Sequence, residues 1–474
     1  MRPAQVVISA DTSVAEMLTR MSGVRTTCAL ITDGDGRLLG LVTEQDVTRR
    51  VALKCSGQEP VSSIMTSPVQ SVQAEDFLYR AIARMRRFRW RHMPVIDRDE
   101  RPVGEIMLND ALGVAAEQAI HQIDLVAHEG GIEGLREVKA AQVQIATELQ
   151  SDNVPAPEIQ ALITDINRGI HRRIIDAQLA AMKAEGWGDP PVDFSLLIMG
   201  SGGRGENFLT PDQDNGFILD DYPDERHTEI DGFFIELAER LTFDLNAVGF
   251  TYCRGYVMAT NPMWRKNQSQ WREQLRIWGR RHSSIAVQLG DIFFDFACGY
   301  GRTSFVRELR EHAYAMVRDS PDYIRAVEAE LFDHGVALGW FGRFVTESGH
   351  DVKDEHKGKI NLKHSGTLPL VGFIRLLALR DGIKETSTLR RMAGLHEAGA
   401  LSDNEYDYLK GAFNHIAFLL LRQQLADFRA GLPVGNHVHP NDLTQREKDI
   451  LTDSLRAIEH FRKRVHADFT GQIL

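Results

Sequence analysis

Cysteine is scarce in this chain: four thiols in 474 residues, at Cys28, Cys55, Cys253 and Cys298, with no CxxC pair. Such spacing argues for neither a disulfide framework nor a zinc site, but for reduced thiols in a reducing compartment. Long apolar runs are also missing, and none approaches the roughly 18–20 residues of a membrane span. The opening MRPAQVVISADTS lacks the charged-then-apolar pattern of a secretory signal. A soluble, cytoplasmic protein with no membrane partner is expected. Basic excess is lacking too. The net charge of −11 argues against a general nucleic-acid binder, because phosphate affinity rests on clustered Lys and Arg. There is no low-complexity tract. The length exceeds what one hydrophobic core serves, so two to four domains are expected.

What the sequence does contain is an internal repeat. A shift of 64 positions lays Met21 on Met85, Asp33 on Asp97, Gly40 on Gly104 and Asp46 on Asp110 without a gap. Each copy reads as strand, amphipathic helix, strand, tight turn, strand and helix. The first helix is expected over Val14–Met21, and the first turn is Asp33-Gly34-Asp35-Gly36, a strong hairpin signal. The second turn, Asp97-Arg98-Asp99-Glu100, is weaker on paper.

The strand-to-helix segment Gly40-Leu41-Val42-Thr43-Glu44-Gln45-Asp46 resembles the signature of CBS (cystathionine-β-synthase-like) domains, and the likeness covers roughly residues 1–118. It implies a pair, 1–54 and 60–118, that binds an adenine nucleotide in the cleft between its copies. By that resemblance Thr43, Asp46 and Asp110 would hold ribose and phosphate, and a helix N-terminus offers free N–H groups to a phosphate. Thr43-x-x-Asp46 is equally a capping box. Met107 stands in copy two where Thr43 stands in copy one, so one site is expected to be degenerate. The run Arg84, Arg86, Arg87, Arg89, Arg91 suits either ligand phosphates or a solvated helix face. CBS pairs often dimerise, so a homodimer through this pair is expected.

Residues 119–187 read as a helical connector. Ile123, Leu125 and Val126 begin one helix, and Ile159, Leu162, Ile163, Ile166, Ile170 and Ile174 recur at helical spacing. Asn153 with Pro155 and Pro157 interrupts the stretch. No chemistry is visible in it.

The informative segment runs from Phe194 to Asp221. The apolar strand Phe194–Met199 enters a glycine-rich turn, Gly200-Ser201-Gly202-Gly203-Arg204-Gly205, and a second strand carries Asp212 and Asp214. Gly200-x-Gly202-x-x-Gly205 fits a dinucleotide-binding fingerprint, but that motif needs a crossover helix, and only Glu206–Thr210 precedes Pro211. No Gly-Lys-Ser/Thr follows, so a Walker-type loop fails as well. Carboxylates two apart on a strand point to one face. Adjacent acids repel unless a cation lies between them, and hard oxygen ligands suit Mg²⁺. Asp295, in the apolar run 291–296, is the candidate third acid of a two-metal site. The glycines would let backbone N–H groups approach a triphosphate, with Ser201 donating its hydroxyl and Arg204 its guanidinium. The other reading of the acid pair is a solvated turn.

Gly-Ser followed by Asp-x-Asp resembles the polymerase-β-like nucleotidyltransferase superfamily. Gly-Ser-x-x-Arg-Gly-Glu is similar to the protein uridylyl- and adenylyltransferases of bacterial nitrogen signalling. Closer still are the nucleotidyltransferase-like proteins fused to CBS pairs in bacterial signal transduction. Asp212-Gln213-Asp214-Asn215 and the 258–265 run MATNPMWR match as well. The resemblance implies that Asp212, Asp214 and Asp295 bind Mg²⁺ or Mn²⁺, and that Gly200, Ser201 and Arg204 hold the triphosphate. Gly202 stands where many relatives have an acid. Basic residues from Arg265 to Arg281 among Trp264, Trp271 and Trp278 fit either a phosphate clamp or an exposed helix with its tryptophans inward.

From 305 onward the periodicity is helical. Leu368-Pro369-Leu370 opens a helix, Leu409, Phe413, Ile416 and Leu420 share a face, Gly431-Leu432-Pro433 breaks the pattern, and a last helix lies near Gln445–Arg464. Leu362-Lys363 and Gly366 before Pro369 resemble the substrate-binding helical domain of the same family. His437-x-His439 reads as a turn.

The expected architecture is therefore multidomain α+β: a tandem CBS pair, the connector, a nucleotidyltransferase domain with a mixed sheet at 188–304, and an all-α domain at 305–474. The implied reaction moves an NMP from an NTP to an acceptor hydroxyl, with a protein as acceptor, pyrophosphate as product and an adenine nucleotide as regulator. A catalytically inactive nucleotide-sensing module and a small-molecule nucleotidyltransferase are the alternatives.

Overall fold

The computed structural model describes the chain except residues 1, 25, 52–56, 77–80, 82, 83, 86, 87, 89, 108–130, 152, 282, 340, 341, 349–351 and 472–474, with backbone alone at 2, 49, 51 and 354. Asp110, Cys55, the Arg86, Arg87 and Arg89 run and the 123–126 helix start lie outside the described residues. The chain forms two compact units, Met1–Ile123 and Asp124–Leu474.

The first unit carries the repeat as two small sheets. In copy one, β2 (Val7–Ser9) pairs parallel with β3 (Cys28–Thr32), and β3 pairs antiparallel with β4 (Leu38–Thr43). In copy two, β5 (Val72–Gln73), β6 (His92–Ile96) and β7 (Pro102–Met107) repeat that order, and β1 (Arg2–Pro3) adds to the outer edge of β7. Met21 and Met85, related by the shift, are both buried, each in its own core. The first helix runs Val14–Gly23, capped by Ser13 on Glu16 N–H. Both hairpin turns are built alike. Asp33 Oδ1 accepts from the amides of Asp35 and Arg37, and Asp97 Oδ1 from those of Asp99 and Arg101, all at 2.9 Å. Glu100 takes the left-handed φ of 61° that Gly36 takes at 79°, so the Asp side chain sets the turn even without glycine.

The second unit is built on a four-stranded sheet. The central strands β8 (Phe194–Ile198) and β9 (Asn215–Leu219) are antiparallel, β10 (Arg265–Asn267) joins β9 in parallel, and β11 (Ala297–Gly301) joins β8 antiparallel. Both central strands are buried along their whole length, as strands covered on two faces must be. The stretch expected to be a connector forms two long helices, Gly131–Ser151 and Ala156–Ala184, separated by Asn153 at φ 60° and Pro155. They belong to this unit and pack on the His227–Val248 helix. Ile159, Ile163, Ile166, Ile170 and Ile174 are buried, as their spacing predicts.

Helices Thr303–Asp319, Pro321–Phe332, Leu368–Arg380, Thr388–Glu397, Asp403–Arg429 and Gln445–Thr470 complete the unit. One continuous apolar core runs from Leu197 and Met199 of the sheet region through Trp264, Trp271 and Trp278 to Leu420 and Leu455 of the helices. The segments read separately as 188–304 and 305–474 thus share a core. The tryptophans face inward, which settles their role as packing. Only Trp271 and Trp278 lie on the Gln268–Arg281 helix, and Arg265, Arg272 and Arg276 pair with Asp231, Asp221 and Glu273. His437 stacks on His356 and His439 caps Asn441 N–H, so this pair is structural. Among the described residues no helix is long and apolar enough to cross a membrane.

Candidate functional site

The site grows from the end of β8. Met199 leaves the strand, and residues Gly200–Arg204 make a single helical turn that closes on Gly205 at φ 77°. That short turn between antiparallel strands confirms that no dinucleotide-binding crossover exists here. Gly200 itself lies at φ 57°, and a Cβ on it would come 2.7 Å from Asp214 Oδ2. Gly203 is required for another reason: its Cβ would meet the Asp295 carbonyl oxygen at 1.5 Å. The loop is therefore glycine-rich because a carboxylate lies against one end and a backbone against the other.

Asp212 and Asp214 precede β9 instead of lying on it. Gln213 between them turns inward and donates to the carbonyls of Thr242 and Phe250 at 3.1 and 3.0 Å. That anchor leaves the two flanking acids on the other side, the alternation expected of extended backbone. Asp212 is exposed and accepts from Thr251 Oγ1 at 2.7 Å. Asp214 is half-buried, and its carbonyl accepts from Met199 N–H at 2.9 Å, which fixes the acid pair to the glycine turn. Burial first, then the charge of Asp212, raises the Asp214 pKa to about 6, against a hydrogen bond with Cys253 and the charges of Lys363 and Arg204. A cation beside the pair would offset both the lost solvation of Asp214 and the charge of Asp212.

Ser201 accepts from Asn207 Nδ2 at 3.0 Å, which leaves its hydroxyl proton able to donate outward. Asn207 is held in turn by Asn167 Nδ2 and by Thr164 Oγ1. Arg168 donates to the carbonyl of Gly202 at 2.9 Å. The helix taken to be a mere link thus forms one wall of the site. Nothing in its spacing marks Thr164, Asn167 and Arg168 apart from ordinary polar positions.

Two of the expected site residues are held in ion pairs. Asp295 is fully buried and bonded to three guanidinium groups: Arg204 at 2.7 Å, Arg375 at 2.6 Å and Arg391 at 2.5 Å. Both of its oxygens face guanidinium groups, and it forms no three-residue ligand cluster with Asp212 and Asp214. Two nitrogens of Arg204 are engaged by carboxylates. Its Nε donates to Glu206 at 2.6 Å while Nη1 holds Asp295, and these carboxylates more than offset the burial that opposes its charge. Asp291 pairs with Arg375 as well, and Glu206 accepts from Thr388 N–H. This network joins the glycine turn to the helices beyond residue 368. The sequence missed it because Arg375 and Arg391 sit in otherwise ordinary helices.

Among the described residues, Asp212 and Asp214 belong to no group of three His, Cys, Asp or Glu ligand atoms that all lie within 4.8 Å of one another. Two carboxylates fit Mg²⁺, which usually keeps waters and is held by one or two carboxylates plus substrate phosphates. Lys363 is exposed and close enough for its charge to favour ionised Asp214. The sequence flagged it only as a family marker, and the fold brings it to the acids.

In the first unit, Thr43 and Asp46 form the capping box. Thr43 Oγ1 donates to Asp46 Oδ2 at 2.8 Å and accepts from Asp46 N–H at 3.3 Å. Arg50 lies 3.5 Å from Asp46, and Arg84 donates to the Ser71 carbonyl.

Three family models match this chain in separate segments. Residues 1–53 and 61–117 match the CBS domain. Residues 140–284 match "Putative nucleotidyltransferase DUF294", a span that begins inside the first long helix, and residues 321–469 match "Putative nucleotidyltransferase substrate binding domain". The CBS domain-containing protein CBSCBSPB1 of Arabidopsis thaliana is 24% identical over 38% of this chain and 34% of its own length. The uncharacterized protein RP505 of Rickettsia prowazekii is 30% identical over 22% of this chain and 32% of its own. This chain therefore spans about a third or less of the curated relatives it matches. Among solved structures, the CBS-domain protein ATU1752 of Agrobacterium tumefaciens is 28% identical over 24% of this chain and 90% of that one, with a TM-score of 0.22. The Pyrobaculum aerophilum CBS protein complexed with AMP is 28% identical over 23% and 84%, also at 0.22. The chain thus carries a CBS pair ahead of segments matching a nucleotidyltransferase family and its substrate-binding domain.

Proposed function

We propose that the second unit transfers a nucleoside monophosphate from an NTP to the hydroxyl of a protein acceptor, releasing pyrophosphate. One observation carries the reading: Asp212 and Asp214 are fixed side by side against the Gly200–Arg204 turn, through Gln213 on one side and the Met199–Asp214 backbone bond on the other. In the reaction the acceptor oxygen forms a bond to the α-phosphorus, the bond to the β-phosphate bridging oxygen breaks, and the hydroxyl proton leaves to solvent. Mg²⁺ or Mn²⁺, when bound by Asp212 and Asp214, would neutralise phosphate charge. The chain's own groups bind and orient. Ser201 would donate to a phosphate oxygen, and the ammonium of Lys363 would meet the negative tail from the helical side. The 321–469 segment, whose family description is a substrate-binding domain, shares the core of the sheet. An acceptor held there would reach the acids without a separate domain closing.

Regulation by an adenine nucleotide at the CBS pair belongs to the same proposal. Thr43 and Asp46, which pair in a capping box at the start of a helix, would turn to ribose and phosphate when the nucleotide binds. Nucleotide binding changes activity only as far as it favours one arrangement over another.

The pairing of Asp295 with three arginines favours a second reading, a nucleotide-sensing module without turnover, since the expected third acid is engaged elsewhere. Incubation of the chain with labelled NTPs, Mg²⁺ and cell lysate decides between them. A labelled protein band that disappears with Asp214→Asn is the expected result. Binding of NTP with no labelled product overturns catalysis, and a labelled metabolite overturns the protein acceptor.

A further inference from the structure

The repeat places a second cluster of ligating side chains in the first unit. Cys28 opens β3, and His92, one 64-residue repeat later, opens β6, so the two residues are counterparts in the two copies. Glu105 on β7 is the counterpart of Leu41 on β4. Copy one keeps the apolar residue expected of a packed strand, and copy two has a carboxylate. Cys28 and Glu105 are 3% and 7% exposed. One ligand atom from each of Cys28, His92 and Glu105 lies within 4.8 Å of the other two. His92 Nδ1 is 3.4 Å from Glu105 Oε2, and His92 Nε2 is 3.4 Å from Thr27 Oγ1.

We infer that Cys28, His92 and Glu105 form a binding site for a zinc-class divalent cation between the two CBS copies. Thiolate, imidazole and carboxylate are the ligand types zinc takes. At ordinary zinc–ligand lengths the ligand atoms stand about 3.3–3.6 Å apart, a separation the His92–Glu105 pair already has. With Nδ1 bound to the ion, Nε2–H donates to Thr27 Oγ1, the outer hydrogen bond that fixes ring orientation at metal sites. Three protein ligands leave a fourth position for water.

Burial and the adjacent Glu105 charge push the Cys28 thiol well above its ordinary pKa, so the ion-free cluster keeps its proton. Binding releases that proton to solvent as the thiolate forms. The ligands come from both copies, so the ion would tie them together and give the pair an input besides nucleotide. Cysteine spacing alone argued against a zinc site, because the chain has no CxxC pair. The fold supplies the proximity.

The whole chain carrying Asp214→Asn, which would weaken competing metal binding at the acid pair, is stripped with chelator and titrated with Co²⁺ and Zn²⁺. One equivalent of Co²⁺ is expected to give a thiolate-to-metal charge-transfer band. Zn²⁺ is expected to displace the Co²⁺ and raise the melting temperature by several degrees. Cys28→Ser, nearly isosteric, loses the band, and Glu105→Gln weakens Co²⁺ affinity at least tenfold. Absence of the band in the Asp214→Asn protein itself, which depends on no change in the cluster, overturns the site. So does a band that survives Cys28→Ser.

Discussion

The Cα of Gly200 faces the carboxylate of Asp214 so closely that a methyl group on it would stand 2.7 Å from Oδ2. The same residue has a φ of 57°, where an L side chain costs about 1–2 kcal/mol. Gly200→Ala is therefore expected to reduce stability by that amount and to displace Asp214. A shift on the order of 1 Å at such a group costs roughly a hundredfold in rate. Measured together, kcat for NMP transfer should fall about a hundredfold while thermal unfolding shows only the modest loss. An unchanged kcat would show that the carboxylate's position does not matter to the reaction.

Asp295 makes a stability prediction opposite to the one its sequence context suggests. As a metal ligand, Asp295→Asn would abolish Mg²⁺ binding and leave the fold little changed. As the shared partner of Arg204, Arg375 and Arg391, its loss leaves buried positive charge uncompensated. The expected cost is about 3–5 kcal/mol. Denaturant unfolding should register it, with Mg²⁺ affinity of the folded fraction unaltered. Asp212→Asn should do the reverse, because Asp212 is exposed.

Lys139 gives the second unit a pH dependence in the alkaline range. It is buried, donates to Gln142 and Asn167 and lies over the Phe250 ring, and burial lowers its pKa from 10.5 to about 7. Between those values the unfolded chain holds a proton that the folded chain has released, so stability rises with pH across the window. Below about 7 both states are protonated and this contribution is flat. The full span is worth up to about 5 kcal/mol. Lys139→Met should lose that slope between pH 7 and 10, as read from denaturant midpoints. Identical slopes in the two proteins would mean that the amine keeps its charge when buried.

Much of the fold was legible in the residues because it rests on local rules. The 64-residue shift predicted two like halves, and the asparagines, prolines and glycines predicted where helices stop. The Asp-x-Asp pair and the glycine turn were legible as a candidate site, because alternation and the φ > 0 preference of glycine act within a few residues. The capping box at Thr43 was legible for the same reason.

Charge partnership was not. Whether Asp295 faces a metal or three arginines is decided by Arg375 and Arg391, brought to it by packing across 80 and 96 positions. Lys363 near Asp214, and Cys28 beside His92 and Glu105, are proximities of the same kind. Sequence determined which segments form strands and turns, since hydrophobic period and backbone sterics are local quantities. Tertiary structure alone decided which ionisable groups neutralise one another, because Coulomb energy depends on distance in space and on how much water the packed core excludes.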